Sequence, residues 1–431
     1  MKKTNILIFP AGSENAINIH DSLKYNLHFN LFGASSNEDY AKSIYPNDNY
    51  FIGNLYINDS NFLDNLNNLL KKFNIDFIIP THDTIALHLM ENETKINAKI
   101  VCSPLETAKI ANSKIEIFKH LSGKKYLPKI YNDVSSIDKF PVFLKPNIGA
   151  GGKGTYLAHN LEDLNTFLKD KSDILISENL PGEEITIDCF TNKNRELLFV
   201  GPRTRERITM GISFKSRMID LTDEIKEIAE DLNNTFVFRG AWFFQLKKDI
   251  EGNYKLMEFS VRQAGTMALY RQLGINFAAL SLFDFMDYNL KINFNNYPIY
   301  LERRLSNSYY IDYKFNNAYI DLDDTLIINN KVNSSLIKLI YQFINKGIKV
   351  ILITKHKYDL NDTLKRYRIN RDLFDEIICL NDDDKKSKYI AHSDSILIDN
   401  YFIERLDVKE NCNIPVFDVD AIESLFDYSI F

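Results

Sequence analysis

The sequence predicts a multidomain protein mixing α/β and α+β folds, with a parallel-sheet domain first, an α+β domain in the middle and a Rossmann-like domain last. Three observations predict it. The chain has 431 residues, more than one hydrophobic core normally serves. Short apolar strands alternate with helical patterns at both ends, the signature of parallel sheets. Between them, from Ser113 to about Glu258, strands are separated by Gly and Pro turns, and a helical segment over 272–290 closes the region. The expected domains are 1–110, 111–300 and 317–431, with the polar and aromatic stretch 291–316 as connector.

Bulk properties narrow the function classes. A 45% hydrophobic and 26% charged chain has the balance of a globular protein rather than a disordered one. The net charge of −6 provides no general electrostatic footprint for nucleic acid. Anionic ligands must then be held by local Lys, Arg and backbone N–H groups. Cys102, Cys189, Cys379 and Cys412 contain no close pair of the kind structural zinc needs, and read as reduced core residues of a cytoplasmic protein. The opening MKKTNILIFPAG resembles a leader only superficially, because its apolar run is brief and ends in a turn. No apolar stretch approaches the roughly 20 residues of a membrane span.

In the N-terminal domain, residues 4–9 read as a buried strand, followed by the turn Pro10–Ser13 and a helix through Leu23. A second strand is expected at about Leu27–Phe32, a helix at 61–73, then a strand at Asp76–Ile79 with the loop Pro80–Asp83. Ligands of open parallel sheets gather at the C-terminal ends of strands. Ser13, Glu14, His82 and Asp83 at those ends are therefore expected around an acceptor pocket, with a capping or core role as the alternative for His82.

The most informative stretch is Pro141–Pro146, an apolar strand that delivers Lys145, followed at once by Asn147-Ile148-Gly149-Ala150-Gly151-Gly152-Lys153-Gly154. Glycines let the backbone approach phosphate oxygens and donate N–H groups to them. A lysine at the strand end adds a point charge for the same phosphates. The pattern is not a P-loop, since no Gly-Lys-Ser/Thr opens a helix.

On these residues the stretch from about 100 to 290 resembles the ATP-grasp superfamily, particularly its branch similar to carbamoyl-phosphate synthase and biotin carboxylase. The resemblance makes Lys114, opening a helix after Ala111-Asn112-Ser113, the first nucleotide-binding lysine and Lys145 the second. It makes Gly149–Gly154, with Gly151, Gly152, Lys153 and Gly154, a mobile lid over the triphosphate. Main chain near Glu178, Asn179 and Leu180 would read adenine, and Glu184 would accept from ribose hydroxyls. Gln245, Glu258 and Ser260 would hold Mg²⁺, or Mn²⁺ in its place, with Gln245 and Glu258 on adjacent strands of an expected pair at Trp242–Leu246 and Lys255–Phe259. Arg262 would neutralise the transferring phosphoryl group. The family usually has Asn-Pro-Arg where this chain has Ser260-Val261-Arg262, which puts the second metal position in question.

The resemblance implies ATP phosphorylating a carboxylate or bicarbonate to an acyl phosphate, which an amine or another nucleophile attacks. Arg205, Lys215 and Arg217, in a cation-rich loop segment, are the candidates for gripping an anionic substrate, with Arg271 beyond them.

At 318–326 an apolar strand ends in Asp321-Leu322-Asp323. Alternation would point the two carboxylates to opposite sides, so the chain must turn there for them to converge. The pattern resembles haloacid-dehalogenase (HAD) phosphatases. That resemblance makes Asp321 the nucleophile and Asp323 the general acid/base, both at the metal, with Thr354 binding phosphoryl oxygen. It also makes Lys386 the neutralising cation, with Lys385 as competitor, and Asp399 a Mg²⁺ ligand.

The leading expectation is a cytoplasmic carboxylate–amine ligase with a phosphatase domain, acting on small molecules and not on nucleic acid or membrane, with a homodimer as a candidate assembly. Amidation in surface-polysaccharide or small-molecule biosynthesis would suit such a fusion. A bicarbonate-phosphorylating enzyme and a non-catalytic ATP sensor remain as alternatives.

Overall fold

The computed structural model describes residues 3–149, 152–169, 171–209, 212–304, 306–309 and 311–429. The chain divides into two compact units, Met1–Arg304 and Leu305–Phe431.

The first unit begins with a five-stranded, all-parallel sheet in the order Tyr50–Ile52, Phe29–Ser35, Thr4–Phe9, Phe77–Pro80, Lys99–Ile100. Its central strand is apolar on both faces because both faces are covered. Leu7 and Phe9 join a core with Phe62, Leu66, Leu89 and Met90 of the helices Phe62–Lys72 and Asp83–Glu91. Ile6 and Ile8 pack instead with Ala16 and Ile19 of helix Glu14–Leu23, and with Ala278, Ala279 and Leu282 of helix Phe277–Phe285. That last helix follows the central domain in sequence yet covers the N-terminal sheet. Consequently 1–110 and 111–300 fold into one compact unit.

The central region carries two antiparallel four-stranded sheets. One is ordered Leu197–Thr204, Glu184–Thr191, Gly240–Lys248, Tyr254–Ser260; the other is Ile130–Tyr131, Ile174–Glu178, Val142–Pro146, Tyr156–Ala158. Helix Asp223–Thr235 is capped by Thr222, whose side chain accepts from the Ile225 N–H. It buries Ile225, Ile228, Ala229 and Leu232, one helical stripe, in the same core as Trp242 and Phe259. On the neighbouring strands Leu197–Thr204 and Glu184–Thr191, Arg203 and Asp188 form a bidentate pair at 2.6 and 3.0 Å, both about fully buried. Of the cysteines expected in the core, Cys102 and Cys189 are buried, Cys412 is half-buried and Cys379 is exposed.

Two boundaries differ from the sequence reading. Of the expected helix over 272–290 only Phe277–Phe285 forms; Gly274 at φ +96 turns the chain between it and the short helix Ala268–Arg271 that precedes it. The expected connector contributes Tyr300–Glu302 as an edge strand beside Ile212–Arg217, so part of it belongs to the first unit.

The second unit is a parallel five-stranded sheet in the order Glu376–Cys379, Lys349–Thr354, Asn317–Ile320, Ser395–Ile398, Val416–Phe417. Ala318 and Ile320 pack toward Leu336, Leu339 and Phe343 of helix Ser334–Asn345, while Tyr319 faces Val408 of helix Phe402–Cys412. The strand ends of Asn317–Ile320, Lys349–Thr354 and Ser395–Ile398 bring Asp321, Thr354 and Asp399 to one edge.

Candidate functional site

The two antiparallel sheets of the first unit face a cleft lined by Lys114, Phe143, Lys145, Gly149, Gly152, Lys153, Glu184, Arg205, Gln245, Lys247, Met257 and Glu258, among others. Strand register explains the convergence. Gln245 stands opposite Glu258 on one side and Thr186 on the other, so three strands present these side chains on one face. Lys114 starts helix Lys114–His120, whose N-terminus is tied to the loop after Lys145: the Ser113 hydroxyl donates to Asn147 Oδ1 at 2.8 Å, and the Ile115 N–H donates to the same oxygen at 3.0 Å. This tie holds the two lysines on one cleft. Lys114 Nζ donates to the Gly149 carbonyl at 2.9 Å and lies 3.6 Å from Glu258 Oε2.

Lys145 is buried and donates to the Met257 carbonyl at 3.0 Å. Burial, opposed by Glu258, pushes its ammonium down to about 8. Arg205 Nε sits 2.7 Å from Glu184 Oε1, and burial lowers its pKa against the pull of that carboxylate. Five cationic side chains (Lys114, Lys145, Lys153, Arg205, Lys247) face two carboxylates (Glu184, Glu258) in this lining, an excess that favours a polyanion.

Residues 170–298 match the family described as ATP-grasp in the biosynthetic pathway with Ter operon. A stretch of 76 residues is 30% identical to D-alanine–D-alanine ligase of Fusobacterium nucleatum; it is 18% of this chain and spans about a quarter (26%) of that relative. Among solved structures, the biotin carboxylase domain of Hydrogenobacter thermophilus 2-oxoglutarate carboxylase, crystallised with MgADP and bicarbonate, is similar at TM-score 0.57 and 16% identity, covering 70% of this chain and 74% of that one. N5-carboxyaminoimidazole synthetase of Staphylococcus aureus with ADP gives TM-score 0.57 at 18% identity, covering 71% and 83%. L-amino acid ligase of Bacillus licheniformis gives 0.51 at 15%, covering 65% and 73%. The first unit has the ATP-grasp fold.

Within this ATP-grasp unit, the structure gathers Lys114, Lys145, Gly152, Lys153, Glu184, Arg205, Gln245 and Glu258 on the cleft. Gly151 lies outside the described residues. Gly154 adopts φ +74, where a Cβ would meet Pro146 Cγ at 2.9 Å. The Glu178 carboxylate accepts from the Lys129 N–H at 2.8 Å, and its own N–H donates to the Lys129 carbonyl, so neither is turned to the cleft; Leu180 is buried and Asn179 half-buried. Lys215, half-buried, and Arg217, exposed, pair with Glu206. Arg271 is spent on helix Glu14–Leu23, donating to the Asn18 carbonyl and the Ser22 hydroxyl.

Ser260 does not accompany Gln245 and Glu258. Its hydroxyl donates to Asp83 Oδ1 at 2.5 Å, while Arg262 donates to Asp83 Oδ2 from Nε at 3.0 Å and from Nη2 at 2.9 Å. Burial raises the Asp83 pKa, but Arg262 and Ser260 outweigh it and the net movement is downward. Asp83 at the start of its helix thus clamps the end of strand Tyr254–Ser260, a link across 177 positions that no local pattern carries. Glu14 pairs with Arg303 at 2.6 Å. For Mg²⁺ the donor set fits in part: one carboxylate (Glu258) and one amide oxygen (Gln245) match a cation that takes its remaining oxygens from phosphate and water.

The second unit holds a tight ionic cluster. Lys386 Nζ is 2.6 Å from Asp321 Oδ1 and 2.5 Å from Asp399 Oδ2, and all three are buried. Burial and the Asp399 charge raise the Asp321 carboxyl to about 6 despite Lys386. Two buried carboxylates against one ammonium leave net negative charge, which a divalent cation would balance. Thr325 donates to Asp321 Oδ2 at 3.1 Å. The Thr354 hydroxyl is fully buried beside no hydrogen-bond partner among the described residues. Asp323 takes no part in the Lys386 bridge of Asp321 and Asp399; its carboxylate bonds His356, with Nδ1 at 2.9 and 3.0 Å from the two oxygens. No group of three His, Cys, Asp or Glu side chains poised for a metal occurs among the described residues. Lys385 pairs with Asp407 and leaves the cluster to Lys386. His356 escaped the sequence reading, although its place two residues past Thr354 on the same strand-end loop was the available signal. No helix among the described residues is long and apolar enough to cross a membrane.

Proposed function

We propose that the chain is an ATP-dependent carboxylate–amine ligase whose second unit is a HAD-type phosphatase acting on a phosphorylated substrate or product, in small-molecule or surface-polysaccharide biosynthesis. The observation that carries the ligase reading is the convergence of Lys114, Lys145 and Arg205 on one cleft with Glu258 and Gln245 across it. Lys114, Lys145 and the N–H groups of the glycine turn bind the ATP phosphates. Glu258 and Gln245 would hold Mg²⁺, which would supply charge neutralisation at the phosphates. Arg262, held by Asp83 through Nε and Nη2 and by the Gln263 carbonyl through Nη1, would have to turn an Nη N–H from these partners to reach the transferring phosphoryl. The substrate carboxylate attacks the γ-phosphorus and ADP leaves; an amine then attacks the acyl carbon and phosphate leaves. Positioning and preorganised charge supply most of such a rate. The S. aureus and B. licheniformis relatives, a synthetase and an amino acid ligase by name, and the D-alanine–D-alanine ligase match support this class.

In the second unit Asp321 attacks phosphorus, Lys386 fixes its carboxylate, Thr354 donates to a phosphoryl oxygen, Asp323 exchanges the proton, and Asp399 with Asp321 would hold Mg²⁺. The orphaned Thr354 hydroxyl and the Lys386 bridge support this assignment.

The ligase test incubates the chain with MgATP and pooled carboxylates and amines, following ADP release and new product masses. Equal turnover by wild type and Glu258→Ala with every pair would sink the ligase reading. For the phosphatase, full hydrolysis of an aryl phosphate by Asp321→Asn would remove the nucleophile.

A further inference from the structure

We propose that His356 is a positioning residue that holds Asp323 in the rotamer from which it protonates a poorly leaving alcohol; this rests on reading the second unit as a phosphatase. Asp323 has a side chain 53% exposed, at a turn where Asp324 takes φ +57. An exposed carboxylate in such a turn has little to fix it. Only one partner is on hand: among the described residues its carboxylate is bonded to His356, whose own side chain is 6% exposed.

The imidazole is held from behind. Its Nε2 lies 2.7 Å from the Thr363 hydroxyl, on helix Leu360–Arg366, which is capped by Asp359 accepting from the Asp362 N–H. The loop that carries it is pinned one residue earlier, where Lys355 pairs with Glu404 at 2.6 Å and donates to the Asp382 carbonyl. With Asp323 as acceptor, Nδ1 carries the proton and Nε2 accepts from Thr363. The Thr363–His356–Asp323 chain therefore fixes a side chain that strand geometry leaves free, and Thr354, the last residue of the strand leading into this loop, stands ready for a phosphoryl oxygen.

Proton flow shows what the clamp is for. Asp321 Oδ bonds to phosphorus, the bond from phosphorus to the ester oxygen breaks, and that oxygen takes the Asp323 proton to leave as an alcohol. Water then attacks phosphorus, passes a proton to the Asp323 carboxylate, and the bond from phosphorus to Asp321 breaks, releasing inorganic phosphate. His356 keeps its proton throughout. A nitrophenolate leaves without protonation, whereas an alkoxide does not. The clamp thus points to an alkyl phosphomonoester, such as a sugar or polyol phosphate, as the substrate class.

The test compares glycerophosphate with dinitrophenyl phosphate, using the full chain and Mg²⁺. Misplacing a general acid should lower kcat for glycerophosphate about 100-fold in His356→Ala and leave dinitrophenyl phosphate within about threefold. His356→Asn, whose amide N–H lies where Nδ1–H does, should restore most of the alkyl activity, which guards against a variant that fails to fold. Equal loss on both esters in His356→Ala and His356→Asn, or no loss on either, overturns the positioning role while the phosphatase stands. Wild type inert toward both esters overturns the phosphatase reading and the clamp with it.

Discussion

Replacing Lys145 with methionine should make the first unit more stable and worse at binding ATP. Lys145 is 5% exposed, donates to the Met257 carbonyl at 3.0 Å and lies 5.1 Å from the Phe118 ring centroid. Burial lowers its pKa from 10.5 to about 8, with Glu258 opposing and Lys114 adding to the fall. At about 1.4 kcal/mol per tenfold change in proton affinity, that fall costs the nucleotide-free fold roughly 3 kcal/mol. Methionine removes the cost, but forfeits a hydrogen bond of about 1 kcal/mol and a ring contact of about 0.5–1 kcal/mol, leaving a net gain of about 1–2 kcal/mol at neutral pH. ATP affinity should fall about 10- to 100-fold with the loss of a charge-assisted contact. The pH dependence carries a sign. Between about 8 and 10.5 the folded lysine binds fewer protons than the unfolded one, so wild-type stability rises with pH across that window and the variant's stays flat. Trp242, the single tryptophan, is fully buried in the first unit, so its fluorescence during urea unfolding reports this unit alone. A lower midpoint for Lys145→Met without nucleotide, or an unchanged ATP affinity, would refute the reasoning.

Other substitutions probe other parts. Asp188→Ala strands the Arg203 guanidinium, 1% exposed, and should lower the stability of the first unit by about 3–5 kcal/mol in the same urea titration. Gly154→Ala forces a Cβ to 2.9 Å from Pro146 Cγ at φ +74, adding about 1–2 kcal/mol of backbone strain; the expected outcome is a raised KM for ATP with a small loss in Tm. In the second unit the Asp321 carboxyl is raised from 3.8 to about 6, so the folded state binds more protons than the unfolded one between those values, and metal-free stability should fall as pH rises through them. Hydrogen exchange of strand Asn317–Ile320 measures this; Mg²⁺ should reverse the loss, and Asp399→Asn, which removes the Asp399 charge but not the burial, should shrink the loss and weaken the reversal.

Residue order alone marks many of the side chains that line the cleft. Lys114, Lys145, the glycine turn and Glu258 are legible because an apolar strand fixes where each begins or ends, and the pairing of Gln245 with Glu258 follows from two strands of matched length. The parallel sheets are legible for the same reason, since buried central strands such as Thr4–Phe9 and Asn317–Ile320 end in unbroken apolar runs, Ile6–Phe9 and Ala318–Ile320. Cations in the Arg203–Arg217 segment were not separable: Arg203 is buried on Asp188, Arg205 lines the cleft with Glu184, and Arg217 stays on the surface with Glu206. Alternation alone assigns a face to each, while depth depends on what the neighbouring strand supplies.

What stayed hidden shares one physical cause. Ser260 and Asp323 each stand at a strand end where a motif places a metal or proton function, and each is drawn by a partner far off in sequence, Asp83 and His356 respectively. A strand end is where backbone pairing stops constraining side-chain direction, so the strongest local hydrogen bond decides it. Net charge around each site survives that uncertainty. Five cations against two carboxylates in the first cleft and two carboxylates against one lysine in the second cluster call for ligands of opposite sign, whichever rotamers Ser260 and Asp323 adopt. Ligand class is therefore read more securely from the charge a fold gathers than from the partner of any one residue, and the two units should respond oppositely to a polyanion and to a divalent cation.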